Sequence, residues 1–230
     1  MLASEIIEEA REFHMSFNAL AHPSTMLLRA LHRAEARFFD LVTNLSGSDL
    51  ATEIVYDTAD IAAGVLGGAL TIPAYRALKP LGILVRPDGI FPVSITSDEE
   101  SMGRNPVSVR VVGRSLYIAQ STAFLAEMPA DISASLTDNS VFADATALRL
   151  TYVPSPVPYT GLGDTLVAPD DARRFLQGEL VSFMANRGTG IDASDKRDLK
   201  ANAMMMQEEV LDFYANRAGG ETRWYVSEIG

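Results

Sequence analysis

The spacing of apolar residues changes twice along this chain, and that change limits the fold more than any other feature. Near both ends, apolar side chains recur every three or four residues, the period of a helix with one buried face. Between about residues 50 and 165 the runs are short, β-branched and punctuated by Pro and Gly, the grammar of strands and turns. The spacing therefore predicts an α+β protein, with a helical bundle formed by the N- and C-terminal helices and a central, mainly β region.

Four helices are expected, near 4–18, 24–44, 170–187 and 195–217. In "SEIIEEAREFHMSF" the stripe is Leu2, Ile6, Ala10, Phe13 and Phe17. Ser4 stands at its start, and Glu5, Glu8 and Glu9 suit the positive end of the helix dipole. In "STMLLRALHRAEARFFDLV" the stripe is Leu27, Leu31, Ala34, Phe38 and Leu41, behind a Ser24 cap. Pro169, Asp170 and Asp171 start the third helix, whose face is Phe175, Leu176, Leu180, Phe183 and Met184. The fourth carries Leu199, Ala203, Met206, Val210, Phe213 and Arg217, and stops at Gly219-Gly220. Phe38, Phe183 and Phe213 are expected to be buried together.

In the middle, "GILVRPDGIFPVSIT" folds back at Pro87-Asp88-Gly89 and "PVSVRVVGRSLYIAQ" at Gly113-Arg114. "ALRLTYVPSPVPYTG" alternates Leu148, Leu150 and Tyr152, then stops at Pro154, Pro156 and Pro158. "DIAAGVLGGALTIPAY" reads as a buried loop or strand. The domain division that follows is residues 1–50 with 166–230 as the bundle, residues 51–165 as a β-rich insertion, and residues 221–230 as a C-terminal interaction tail.

Composition narrows the function. The chain has 230 residues, 47% apolar and 21% charged, with a net charge of −11. Such an acidic balance argues against a protein that grips nucleic acid by its phosphates. No apolar run is long enough to cross a bilayer. The acidic, amphipathic start has no signal-peptide pattern, so a cytosolic origin is expected. With no cysteine, disulfides and thiolate metal sites are excluded.

Chemistry-bearing motifs are missing. His14, His22 and His32 are not spaced as a metal pair and read as solvated or hydrogen-bonded histidines. "GRSLY" lacks the second glycine of a nucleophile elbow. "GVLGGA" (Gly64, Gly67, Gly68) is no dinucleotide fingerprint. Asp98, Glu99 and Glu100 form an acidic cluster without calcium-loop spacing. No catalytic, cofactor-binding or metal-binding residue is assigned, no cofactor is expected, and the chain is not read as an enzyme. Of the methionines at 204–206, one or two must face a core.

The one tryptophan lies in the tail "ETRWYVSEIG", after the two glycines. Trp224, Tyr225, Val226 and Ile229 read as partner-binding residues that add as a strand to a sheet edge.

The element order resembles that of the head-to-tail adaptor proteins of tailed bacteriophages, also called head-completion, neck or connector proteins. "ASEIIEEAREF" followed by "HPSTMLLRALHRAEARFFD" is similar to their paired N-terminal helices. "VRVVGRSLYIAQ", "ALRLTYVPSPVPY" and "DTLVAPDDARRFLQGELVSFMANR" are similar to their strands and proline-started helix. "DLKANAMMMQEEVLDFYANRAGG" is similar to their last long helix. The region from about 50 to 147 is larger than a minimal adaptor needs. The resemblance implies a structural virion protein, assembled in the host cytoplasm. It would form a homo-oligomeric ring, commonly twelve-fold, between the portal and the next neck or tail protein. DNA would pass through without specific binding, and no membrane is involved. The alternatives are another neck or tail ring, such as a tail terminator or nozzle, or a small-molecule-binding protein or enzyme with a loop-built site.

Overall fold

In a computed structural model the structure describes residues 1–97, 108–118, 142, 144–188, 190–217 and 225–226. Residue contacts divide the chain into two units. One joins Met1–Leu50 to Ser155–Glu221; the other joins Ala51–Pro154 to Thr222–Gly230.

The first unit is helical. It contains α1 (Ala3–Glu12), α2 (Ser24–Ser46), α4 (Arg173–Arg187) and α5 (Ala193–Arg217). Helix α1 ends near 12 rather than 18, and its buried face is Ala3, Ile6, Ile7 and Ala10. Phe13 is therefore left exposed, while Phe17 is buried in the segment that follows. The Phe38 ring of α2 sits within 5.6 Å of the Phe175 ring of α4 and the Tyr214 ring of α5. On α4, Phe183 is only half-buried, and the Arg187 guanidinium lies over its ring. On α5 the buried stripe runs Leu199, Ala203, Met206, Val210 and Tyr214. The expected Phe213 is 43% exposed. A helix turns 100° per residue, so the step of four from Val210 lands on Tyr214 and turns Phe213 outward.

The second unit is a curled, mixed, half-barrel sheet, with nine strands among the described residues. These are β1 (Thr52–Asp57), β2 (Leu70–Thr71), β3 (Tyr75–Leu78), β4 (Leu81–Arg86), β5 (Gly89–Thr96), β6 (Ser108–Val112), β7 (Ser115–Tyr117), β8 (Ala147–Pro154) and β9 (Tyr225–Val226). Strand β8 is central. One of its edges pairs along its length with β1, and the other takes β4 near its start and β3 near its end. Antiparallel hairpins join β4 to β5 across Pro87-Asp88 and β6 to β7 across Gly113-Arg114. Gly113 has φ +59°, the left-handed conformation that glycine accepts at no steric cost. The β5–β6 pair is parallel, which makes the sheet mixed. Leu84, Val93, Val109, Leu116, Leu148 and Leu150 fill its core. The Tyr75 hydroxyl donates to the Gly113 carbonyl at 2.7 Å, fastening β3 to the β6–β7 turn.

This architecture corrects the expected fold class. The chain is not a terminal-helix bundle with a central β region. It has five α-helices among the described residues and a curled sheet, and the order of elements breaks the simple division at two places. Helix α3 (Thr58–Val65) lies inside the stretch expected to be mainly β and replaces the buried loop or strand expected at "DIAAGVLGGALTIPAY". Its start is a reciprocal cap. The Asp57 carboxylate accepts from the amides of Ala59 (2.9 Å) and Asp60 (3.0 Å), and Asp60 accepts from the Asp57 amide. It packs on β1, β2 and β8, and its Ile61 joins the core of the sheet. The Tyr56 hydroxyl of β1 also reaches the Thr71 carbonyl of β2. At the other place, the C-terminal strand β9 leaves the helices and joins the sheet beside β3.

Candidate functional site

Of the expected partner-binding residues, Tyr225 and Val226 form β9, antiparallel to β3 with Val226 opposite Ala77 and Tyr225 opposite Leu78. The strand addition thus occurs on a sheet edge of its own chain. Trp224 and Ile229 lie outside the described residues, as does the acidic cluster Asp98, Glu99 and Glu100.

The histidines have three different surroundings. The His14 Nδ1 meets the Ser16 hydroxyl, and its Nε2 lies 3.7 Å from the Asp195 carboxylate. His32 is half-buried, with Nδ1 shielded and unpartnered, and its ring stands edge-on to Tyr159. His22 departs furthest from expectation. It is 1% exposed, and neither ring nitrogen has a partner. It is neither solvated nor hydrogen-bonded through its ring, because it packs edge-on against Phe17 at 5.6 Å. Burial first, and then the charges of Arg11 and Arg187, hold its pKa below the ordinary imidazole value.

Glu35 of α2 is also buried, and no motif singled it out. One carboxylate oxygen accepts the Ala168 amide at 2.7 Å; the other accepts the Tyr159 hydroxyl. Burial above all, then this bond, raises the Tyr159 pKa well above that of a free phenol, so the hydroxyl remains a donor at neutral pH. Both oxygens are engaged and the residue is fully buried, so Glu35 fastens the proline-rich segment to α2 and cannot meet a substrate. Its sequence signal was a charge four residues after Leu31, on the apolar stripe.

A second carboxylate binds between helices. Glu9 of α1 accepts from the Arg173 Nε at 2.9 Å and from Gln177, both on α4. The Arg173 guanidinium holds the Glu9 carboxyl below its usual range. These contacts order helices. Among the described residues, no group of three His, Asp or Glu side chains could hold a metal ion, and no helix is long and apolar enough to cross a membrane.

Large apolar side chains do reach solvent. Met15 is 96% exposed and Leu20 95%, both on the α1–α2 segment beside the exposed Phe13. On α5, Met204 and Met205 are exposed beyond Met206, which is buried. No protein-family model matches the chain, and no curated protein matches it.

Proposed function

We propose that this chain is a structural subunit that forms the ring connecting the portal of a tailed phage head to its tail. The observation that carries the reading is the exposure of Phe13, Met15 and Leu20 on one short segment. Clustered apolar side chains in solvent mark a surface that another protein covers. The carboxylates of the buried Glu35 and the partly exposed Glu9 are engaged by the chain itself, and this supports assembly rather than a site chemistry as the role. The element order of the sequence supports the adaptor family, and the acidic balance suits a conduit past which DNA slides.

In this reading the tail contacts the portal or a neighbouring subunit. Its described part is held at the β3 edge by only two residue pairs, Ala77 with Val226 and Leu78 with Tyr225. Light scattering and native mass measurement of the purified chain, alone and beside portal rings, test the proposal. A closed homo-oligomer or a portal-bound ring is expected. Deleting residues 221–230 is expected to leave the melting midpoint nearly unchanged and abolish attachment. A monomer or dimer that ignores a portal ring would overturn the reading.

A further inference from the structure

The first turn of α2 collects positive charge to which the described residues supply no counter-ion. From α1, the Arg11 Nη2 donates to the His22 carbonyl at 2.9 Å and to the Ser24 hydroxyl at 3.3 Å. From the end of α4, the Arg187 Nη1 approaches the Met26 sulfur at 3.6 Å. No acidic residue stands in this first turn, where the free amides and the helix dipole already favour an anion. Elsewhere in the helical unit, Arg37, Arg173, Arg174 and Arg217 each face a carboxylate. Among the described residues Arg11 and Arg187 do not; Arg29, Arg33 and Arg197 face none either, but only Arg11 and Arg187 meet at the start of one helix. Asp195 pairs instead with His14, and the Phe17 ring touches both His14 and His22.

A second, independent feature lies at the same place. His22, two residues before Ser24, is 1% exposed with both ring nitrogens unpartnered, and the Arg11 Nε is also buried without an acceptor. Buried polar atoms normally have partners, and leaving them empty is costly. Both guanidinium charges act on this ring. The Arg11 Nε and the protonated nitrogen of the neutral His22 ring are two donors without an acceptor, and with two cations at one helix start they share one missing component, an acceptor with negative charge.

We propose that Arg11, His22 and Arg187, at the first turn of α2, form a binding site for a small tetrahedral oxyanion, phosphate or sulfate. The guanidinium groups supply charge-assisted donors, the Ser24 hydroxyl and the helix amides supply neutral ones, and the imidazole donates through whichever nitrogen carries its proton. A bound dianion also reverses the field that the arginines impose on His22, so the ring takes up a proton more readily.

The test titrates the full chain with inorganic phosphate and with sulfate at constant ionic strength, with chloride as the control. The imidazole nitrogens are followed by NMR. His22 is expected to shift saturably, and its pKa to rise, with phosphate but not chloride. Arg187→Gln changes an exposed side chain, so the circular dichroism should be retained while phosphate affinity falls about tenfold or more. The melting midpoint should rise with phosphate in the wild type and much less in this variant. An absent or chloride-matched His22 response would overturn the proposal, and so would wild-type phosphate affinity in a folded Arg187→Gln protein.

Discussion

Phe213 and Tyr214 are neighbours on α5 with opposite surroundings, and their contrast shows how much one residue of helical phase decides. Tyr214 is buried against Phe38, while Phe213 stands in solvent under the Arg217 guanidinium. Tyr214→Ala is expected to cost about 3 kcal/mol or more through lost contacts and a cavity. Phe213→Ala should stay within about 1 kcal/mol. Urea midpoints of the two variants check this, and equal losses would refute the assigned face. His22 gives a pH prediction. Its folded pKa lies below the ordinary value, so the unfolded chain binds the proton first. Its contribution is intact above the unfolded imidazole pKa of about 6.5. As pH falls below that value the contribution is lost progressively, until the folded pKa is reached. In phosphate-free buffer, the wild type should lose more melting temperature between neutral pH and about pH 5 than His22→Gln does. A steeper loss in the variant would contradict the neutral, buried ring.

At the scale of elements, α4 and α5 meet through Gly178. A Cβ added there would lie 2.7 Å from the Ala203 carbonyl oxygen, a backbone atom with little freedom to move. Gly178→Ala is therefore expected to destabilise by about 1–3 kcal/mol, although alanine is the better helix former by about 1 kcal/mol. A melting midpoint at or above the wild type would show that the helices can part without loss. Helix α3 is the element that apolar periodicity missed. Its eight residues are too few to display a stripe, and its signal was chemical: Asp57 and Asp60 at the spacing of a reciprocal cap. The strands were more legible. Leu148, Leu150 and Tyr152 alternate in the sequence and are all buried along β8, and the two-residue turns follow their Pro and Gly signals.

For the whole molecule, the chain passes between its two units at 50/51, 154/155 and 221/222. The sheet unit takes one continuous segment, residues 51–154, and only the short β9 from elsewhere. Its core, from Tyr56 to Tyr152, belongs to that segment. The excised fragment 51–154 is expected to fold alone, with a β-type circular dichroism spectrum and a cooperative thermal transition. A fragment that melts without cooperativity would mean that β9 or the helical unit completes its core. The helical unit has the opposite problem, since α2 and α4 must find each other across the inserted sheet. The Phe38–Phe175 contact is non-local and forms only after the loop-closure entropy of that insertion has been met.

The sequence by itself determined the long helices, the turns and most of the buried stripes, because these depend on local period and on residues that fix φ. Only the tertiary structure decided the curled mixed sheet, the parallel β5–β6 pair and the place of β9, since strand pairing depends on partners far away in the chain. The same holds at the start of α2. Arg11, His22 and Arg187 are ordinary residues in the sequence. Their meaning comes from packing that buries one unpartnered ring and brings to the end of one helix two cations that no described carboxylate pairs.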